Sequence, residues 1–313
     1  MKKFKEILFL KNLKGVGKAK IYKNYWDNLK SSDIGELFDE MLKYDFKEDK
    51  LNDAKLKAEK IYNYIINNNE IDVITVFDDD YPEKLKDMEN KRPLYLYVKG
   101  NKEALFKPNL TVIGTRKPSE ESAIFEEKLV KGVLDISDRV VISGLALGCD
   151  KIAHETTVNE NKVTVAVLPS GVNVIKPAKH KKLAQDILDN GGCLVSEYEP
   201  NANAFKSTYV DRDHIVAALS DVTFIPEFGE KSGTRHTVDA ILKYNKKDNF
   251  KRELYIYLPE DADEEAYSGN IYLSDNRLAN EATDIEEFCE EIAILDDKPA
   301  KTVKKDKQST LGF

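Results

Sequence analysis

Residues 140–150 read VVISGLALGCD, and the pattern of these eleven residues indicates the fold class. Residues 140–143 form a short run of mostly β-branched apolar side chains, which predicts a buried strand. Two glycines follow in the loop, and a helical stretch begins near residue 150. A strand, a glycine-containing loop and a helix in this order predict one half of a parallel βαβ unit.

Outward from this stretch, apolar strand-like runs alternate with amphipathic helical stretches from about residue 70 to residue 260. Strands that are apolar almost throughout, with helices between them, predict a parallel sheet buried on both faces. The predicted fold class is therefore α/β, with a Rossmann-like, doubly wound, mostly parallel sheet. Strands are predicted at 71–77, 94–98, 110–113, 140–143, 163–168, 193–196, 222–225 and 254–258, and helices near 120–136, 150–160, 179–190, 208–219 and 233–246.

The two ends of the chain differ from this middle region. Residues 1–30 predict two short helices around a glycine-containing turn, and apolar residues at helical spacing extend this helical region to residue 69. Further on, we predict one more short strand at 271–273 and a helix at 284–294. The expected parts are a helix-hairpin-helix (SAM-like) domain at 1–69, a Rossmann-like domain at 70–295, and a flexible lysine-rich tail at 296–313.

The charge of the chain is distributed unevenly. Its 313 residues are 41% hydrophobic and 33% charged, with a formal net charge of −8. Residues 1–30 contain nine lysines against two carboxylates, whereas residues 260–297 contain fourteen carboxylates and one arginine. Because phosphate binding depends on the local field, the acidic total does not exclude a nucleic-acid partner.

Several classes of protein are disfavoured by the sequence. It contains no apolar run of about 18 residues that would predict a membrane span, and the apolar stretch at 7–10 is too short for a signal peptide. The three cysteines form no CxxC pair, and there are only four histidines. We therefore expect a cytoplasmic protein with no membrane partner, no cofactor, no metal site and no disulfide framework.

Four loops that follow predicted strands carry the chemistry. They lie at 114–116, 143–150, 168–172 and 231–234, and each contains glycine. Glycine lets backbone N–H groups approach an anion, arginine can hold an anion through two hydrogen bonds, and a following helix N-terminus adds positive field. Because the carboxyl ends of parallel strands meet at one edge of a sheet, these loops predict a site for an anionic ligand.

The order and spacing of these loops resemble the DprA/Smf family of DNA-processing proteins. The matching motifs follow one another in unbroken order and are far more specific together than a single glycine-rich loop. They are YPEKL at 81–85, PLYLYVKG at 93–100, VIGTR at 112–116, SGLALGCD at 143–150 with His154, VAVL at 165–168 with SG at 170–171, Ser196-Glu197, Arg212 before IVAALS at 215–220, and KSGT at 231–234.

This resemblance implies a non-enzymatic protein that binds single-stranded DNA in DNA recombination, repair or uptake. It also implies a homodimer that loads a RecA-type recombinase onto DNA and displaces single-strand binding protein. The chain departs from the family at Arg212-Asp213-His214, where the family has Arg-Asn-Arg, and its C-terminal part does not look like a winged helix. Carried over by motif, with Arg235 restoring a charge, the DNA- and phosphate-binding residues are Gly114, Thr115, Arg116, Ser143, Gly144, Arg212, Lys231, Ser232, Gly233, Thr234 and Arg235.

Both ends of the chain carry a further short motif. Residues 10–21 resemble a helix-hairpin-helix, in which a Gly-Val-Gly turn exposes N–H groups to a DNA phosphate. Its residues are Gly15, Val16, Gly17, Lys18 and Lys20. Residues 308–313 resemble the Gln-x-x-Leu-x-Phe peptide that binds bacterial sliding clamps, with Gln308, Leu311 and Phe313 at the fixed positions. A simple turn and a chance match are the alternatives.

Plainer roles compete with these assignments. In these alternatives, Arg116 forms an ion pair with a carboxylate and does not bind a phosphate. His154 packs within its helix, and Glu197 organises a neighbouring loop through a hydrogen bond. The basic run at 176–182 is either a solvated helix face or an extension of the DNA surface. The competing function is a nucleotide-processing enzyme of the phosphoribohydrolase type, although its Pro-Gly-Gly-x-Gly-Thr loop reads PEFGEKSGT at 226–234. A pure interaction hub is the third hypothesis.

Overall fold

The computed structural model describes residues 1–247 and 249–297. A sheet of nine strands runs through its centre in the order β1-β2-β6-β5-β4-β3-β7-β8-β9. The strands from β6 to β9 in this order are parallel to one another, and β1 and β2 form an antiparallel edge. The strands are β1 Ile71–Thr75, β2 Tyr95–Gly100, β3 Asn109–Val112, β4 Val140–Ser143, β5 Thr164–Val167, β6 Cys193–Ser196, β7 Val222–Ile225, β8 Glu253–Ile256 and β9 Asn280–Glu281.

Five helices precede the first strand along the chain, and further helices connect the parallel strands. The helices are α1 Phe4–Asn12, α2 Lys18–Lys20, α3 Trp26–Ser31, α4 Ile34–Lys43, α5 Glu48–Ile66, α6 Glu120–Ile136, α7 Cys149–Asn159, α8 Lys181–Asp189, α9 Lys206–Leu219, α10 Thr234–Asn245, α11 Ser268–Asp275 and α12 Ile285–Asp297. A π-helical turn, Ile21–Tyr25, joins α2 to α3. Among the described residues, no helix is both long enough and apolar enough to span a bilayer.

Apolar layers cover both faces of the sheet, because successive side chains of a strand point to opposite sides. In β5, Val165 and Val167 belong to the layer that includes α9 and α10, whereas Ala166 faces the other side. On that other side, α8 and the N-terminal helices cover one end of the sheet, and α6, α7 and α12 cover the other end. The doubly wound α/β prediction is confirmed.

The N-terminal helices share their apolar core with the sheet. The ring of Phe4 meets the rings of Tyr95 and Tyr97 edge-on, with centroid distances of 5.3 and 6.0 Å. The ammonium group of Lys11 lies 4.4 Å from the centre of the Tyr95 ring. A domain boundary between residues 69 and 70 stays a prediction, and the apolar cluster is continuous across it.

The eight strands predicted between residues 70 and 260 are confirmed, with ends shifted by no more than two residues. The ninth prediction, a strand at 271–273, is wrong, since these residues lie within α11. The side chains of Tyr267, Asn270 and Leu273 are buried there, and their spacing of three is helical. Three apolar residues are too few to distinguish a helical period from a strand.

The strand order reverses beside β3, and this reversal places the site. The chain proceeds from β3 through β4 and β5 to β6 on one side, then returns to place β7 and β8 on the other side of β3. The loops that leave β3 and β7 therefore diverge to opposite sides of the sheet and open a crevice between them. In doubly wound sheets, ligands bind in such a crevice at the carboxyl ends of the strands.

Candidate nucleic-acid interface

A cavity of about 440 Å³ lies at this crevice. Three of the four predicted loops contribute to it, together with the middle of α9 and the start of α10. The loop at 168–172 does not line it. The lining residues are Ile113, Gly114, Thr115, Arg116, Gly144, Ala146, Asp150, Tyr209, Val210, Arg212, Asp213, Val216, Ser232, Gly233, Thr234, His236 and Thr237.

The loop after β3 and the start of α10 are tied together. The Thr234 hydroxyl donates to the Gly114 carbonyl at 2.9 Å, and the Thr115 amide donates to the Glu227 carbonyl at 2.8 Å. A side chain at position 114 has no room, because its Cβ would lie 2.5 Å from Cys149 Sγ. The backbone on this side of the cavity is therefore fixed before any ligand arrives.

Arg116 is the exposed cation at the rim of the cavity. Its guanidinium carbon lies 5.8 Å from the centre of the Tyr209 ring, which also lines the cavity. In residues 1–247 and 249–297, no carboxylate lies within ion-pair distance of Arg116, so the plainer role of pairing with a carboxylate is not realised there. An arginine held beside an aromatic ring and open to solvent is suited to bind a phosphate.

The sequence suggests that the backbone amides of the loop after β4 are free to bind an anion. In the structure, two of these amides already have partners within the protein. The Gly144 and Ala146 amides both donate to one oxygen of Asp150, at 3.2 and 3.1 Å. The Ser143 hydroxyl is fully buried and donates to the Val112 carbonyl at 2.7 Å. These groups already have partners within the protein, so Ser143 and Gly144 shape the cavity wall. Their assignment as DNA contacts stays a prediction.

Arg212 lies in the floor of the cavity, with 6% of its side chain exposed. One terminal nitrogen, Nη1, donates to the Gly144 and Val167 carbonyls, and Nε donates to Asp213 at 2.9 Å. Gly144 permits this arrangement, because a Cβ at that position would overlap the guanidinium. Most hydrogen bonds of Arg212 are therefore made within the protein, and its buried charge adds a positive field to the cavity.

Two carboxylates oppose the charge of Arg212. Asp213 pairs with it directly, and Asp150 lies 3.9 Å away. Burial raises the pKa of the Asp213 carboxyl, and the adjacent Arg212 guanidinium opposes that rise only in part. The two arginines and two aspartates of the cavity sum to a formal charge of zero when the aspartates are ionised.

The start of α10 presents donors that have no partner among the described residues. The Ser232 hydroxyl is buried in the cavity wall and makes no hydrogen bond to that part of the chain. Gly233 caps α10 without a side-chain hydrogen bond, and the space beside it is open. An unpaired hydroxyl at an uncapped helix N-terminus is a suitable environment for an anion.

Two predicted cations lie outside the cavity lining. Lys231 is exposed in the loop just before Ser232. Arg235 is paired with Glu230 and Asp239 at 3.2 and 2.8 Å. Its role in replacing the missing positive charge stays a prediction, because two carboxylates already balance the guanidinium.

Three residues from the family motifs are buried, and their contacts are within the protein. Burial lowers the pKa of His154 to about 3, and its Nδ1 lies 2.7 Å from the Thr164 hydroxyl, so His154 packs as the plainer role expects. Burial also raises the pKa of the Cys149 thiol well above its usual range. Glu197 accepts a hydrogen bond from the Lys18 ammonium group at 2.7 Å.

The hairpin near the N-terminus has the predicted order of helix, turn and helix. Gly15 adopts a φ of 80°, in the left-handed region, and Val16 is buried. Lys18 is paired with Glu197, and the ammonium group of Lys20 lies 6.0 Å from the centre of the Tyr25 ring. DNA contact at Gly15, Val16, Gly17, Lys18 and Lys20 stays a prediction. The tail peptide at 308–313 lies outside the described residues.

Nine residues that line the cavity are missing from the predicted site, among them Tyr209, Asp150 and His236. Tyr209 precedes Arg212 by three residues on α9, and that helical spacing is the available signal. Asp150 belongs to a loop motif, but its contact with two loop amides depends on tertiary structure. His236 follows the KSGT loop by two residues.

Known proteins are similar to this chain in sequence and in fold. A family model described as DNA recombination-mediator protein A matches residues 72–293. Protein Smf of Borreliella burgdorferi is 32% identical over 238 residues, which cover 74% of this chain and 72% of that protein. DNA processing protein DprA of Streptococcus pneumoniae is 31% identical over 169 residues, covering 54% of this chain and 58% of that protein. The matched region thus spans less than two thirds of that relative.

Two solved structures are also similar. DprA from Streptococcus pneumoniae superposes with a TM-score of 0.74 and 22% identity, covering 95% of this chain and 98% of that one. DNA processing protein A from Helicobacter pylori, described for its single-stranded DNA binding mode, superposes with a TM-score of 0.62 and 26% identity, covering 72% and 96%. On the family match and on these relatives, the chain belongs to the DNA recombination-mediator protein A family, which includes DprA and Smf.

Proposed function

We propose that this protein binds single-stranded DNA in the cavity between β3 and β7 and mediates DNA recombination, repair or uptake. One observation carries the proposal: Arg116, Ser232 and the start of α10 line the same cavity. Among the described residues, Arg116 has no carboxylate partner, the Ser232 hydroxyl has no hydrogen-bond partner, and α10 has no side-chain cap. These groups donate hydrogen bonds and positive field, and a backbone phosphate accepts both. The family, and the binding described for the Helicobacter pylori protein, support DNA as the source of that phosphate.

The proposed binding mode follows from the fixed backbone. A phosphate sits between Arg116 and the Gly233–Thr234 turn, with the guanidinium on one side and the Ser232 hydroxyl on the other. Arg212 stabilises it from below through the field of its buried charge. Because these contacts reach only the backbone of the strand, this part of the site is independent of base sequence.

The geometry favours binding over catalysis. His154 and Cys149 are buried, and neither side chain lines the cavity. The two carboxylates that line the cavity are engaged, Asp150 by loop amides and Asp213 by Arg212, so neither is placed as a general base. Within residues 1–247 and 249–297, no three His, Cys, Asp or Glu side chains are grouped so that they could hold a metal ion. We therefore propose a non-enzymatic role, and the phosphoribohydrolase alternative is disfavoured.

The proposed partners extend beyond this cavity. Membership of the family supports homodimers, a cytoplasmic location and transfer of the DNA to a RecA-type recombinase. The hairpin at 15–17 adds a phosphate contact in this proposal, and the peptide at 308–313 binds a sliding clamp.

Fluorescence anisotropy with labelled dT oligomers tests the DNA site, measured over a salt series for wild type and Arg116→Ala. We expect Arg116→Ala to weaken binding roughly 10- to 100-fold at low salt, because a hydrogen bond to a charged group is lost. The slope of log Kd against log salt should fall by about one. Lys117→Ala is the matched control, since Lys117 is an exposed neighbouring cation outside the cavity lining. Equal losses for both variants, or no binding by wild type at low salt, would refute the proposal.

A further inference from the structure

Phe205 stands out among the aromatic side chains because 68% of its surface is exposed to solvent. No aromatic side chain in the described part of the chain is more exposed. Leaving such a large ring in water forgoes the stabilisation that burial would give. A single exposed ring is ordinary on a protein surface, so the inference depends on where this ring lies relative to the proposed DNA site.

The backbone that carries this ring is fixed. Phe205 immediately precedes α9, and its amide donates to the Thr208 hydroxyl at 3.0 Å. The Thr208 amide and hydroxyl both donate back to the Phe205 carbonyl, at 3.0 and 2.9 Å. The ring is thus presented from the rigid end of a 14-residue helix.

The position of Phe205 continues the proposed DNA surface. Tyr209 follows four residues later along α9, an axial advance of about 6 Å, and it lines the cavity beside Arg116. Lys206 is exposed next to Phe205 and is suited to neutralise a further phosphate. A strand that leaves the Arg116 site along the start of α9 would therefore pass Phe205.

We propose that Phe205 is a stacking platform for an unpaired base next to the nucleotide whose phosphate binds Arg116. This inference rests on the proposed function. The occupant is a nucleobase because every base offers an aromatic face, and stacking tolerates any sequence. Arg116 then holds the backbone electrostatically, while Phe205 holds a base through contact that salt does not screen.

Anisotropy with dT oligomers tests this platform through three variants. Phe205→Ala should weaken binding roughly 5- to 100-fold, the range expected for loss of one stacked base, without changing the salt slope. Phe205→Leu should lose most of that affinity as well, because it keeps apolar surface but has no ring. Leu56→Ala is the matched control, since Leu56 is equally exposed at 68% but lies on α5, and it should bind like wild type.

An oligomer that replaces its bases with abasic sites provides the second readout. On this ligand, wild type and Phe205→Ala should bind alike, because nothing remains to stack. Thermal unfolding curves of the variants should coincide with that of wild type, since the ring makes little contact with the protein. These comparisons separate lost stacking from lost folding.

Two results overturn the inference while leaving the proposed function intact. In the first, wild type binds with Arg116-dependent affinity and Phe205→Ala binds equally well. In the second, Phe205→Ala weakens only self-association in sedimentation, which would assign the ring to a contact between copies of the chain. Absence of any binding by wild type would instead remove the proposed function, and the inference with it.

Discussion

Asp213→Asn is expected to increase affinity for single-stranded DNA. The carboxylate of Asp213 lines the cavity and pairs with Arg212 at 2.9 Å, with 17% of its side chain exposed. Asparagine keeps an oxygen that accepts the hydrogen bond from Arg212, but it carries no charge. The change therefore removes repulsion of a phosphate and leaves the shape of the site almost unaltered.

The size of the effect follows from the size of the cavity. A sphere of the cavity's volume, about 440 Å³, has a radius of roughly 5 Å, so a bound phosphate lies about 6–8 Å from the carboxylate. Two like charges at that distance repel by about 2–3 kcal/mol at an effective dielectric constant near 20. Because the cavity opens to water, we expect about half of this repulsion energy to act on a bound phosphate. Its removal corresponds to roughly 5- to 10-fold tighter binding by Asp213→Asn than by wild type.

The same carboxylate predicts a pH dependence with a definite sign. Its pKa is raised by burial, so lowering the pH from neutral protonates Asp213 before an ordinary aspartate. Protonation removes the negative charge, and wild type should therefore bind an anionic strand more tightly as the pH falls. Asp213→Asn should lack this component, and its affinity should vary less with pH. Because the charge of Asp213 also acts on His236, both proteins are compared in a His236→Gln background, and His214 is present in both.

Anisotropy at several pH values and constant ionic strength is the assay. Asp239→Asn makes the same charge change on α10, outside the cavity lining, and controls for net charge. Equal affinity of wild type and Asp213→Asn at neutral pH would refute the electrostatic reasoning. So would an equal gain for Asp239→Asn, which would reduce the effect to net charge.

Two further predictions concern stability, and thermal or denaturant unfolding measures both. Gly144→Ala should destabilise the protein by about 2–4 kcal/mol, because the new Cβ overlaps the Arg212 guanidinium and forces it out of its site; an unchanged midpoint would show that the loop yields easily. Arg252→Ala should cost about 3–5 kcal/mol, since it leaves Asp87, its fully buried partner at 2.9 Å, without a counter-charge. Adding Asp87→Asn should recover part of that loss, and a further loss would contradict this reason.

The parallel sheet could be predicted because its information is local. Each strand is a short apolar run bounded by loop residues, and each helix repeats its apolar positions with a helical period. The carboxyl-edge position of the loops then follows from topology, so Gly114, Arg116 and Gly233 can be assigned to one site from their order along the chain. The wrong strand at 271–273 marks the limit of this reasoning, because a run of three residues shows no period.

The state of each polar group in the site could not be predicted in the same way. Whether an amide or a guanidinium is available depends on which partner tertiary structure brings to it. Asp150 reaches back to cap the Gly144 loop, and carboxylates balance Arg235, although both loops look equally suited to an anion in sequence. Conversely, Tyr209 has no motif of its own and enters the site only because α9 crosses the cavity.

The ties between the β3 loop and the start of α10 have a consequence for how a strand is selected. Thr234 and Thr115 hold the two walls in one arrangement, so the protein has little conformational entropy left to lose when DNA binds. The ordering cost then falls on the strand, which must unstack and straighten to follow a surface that does not adapt. Discrimination between flexible and stiff, stacked strands can thus arise without any contact that reads a base, as a property of the polymer being bound.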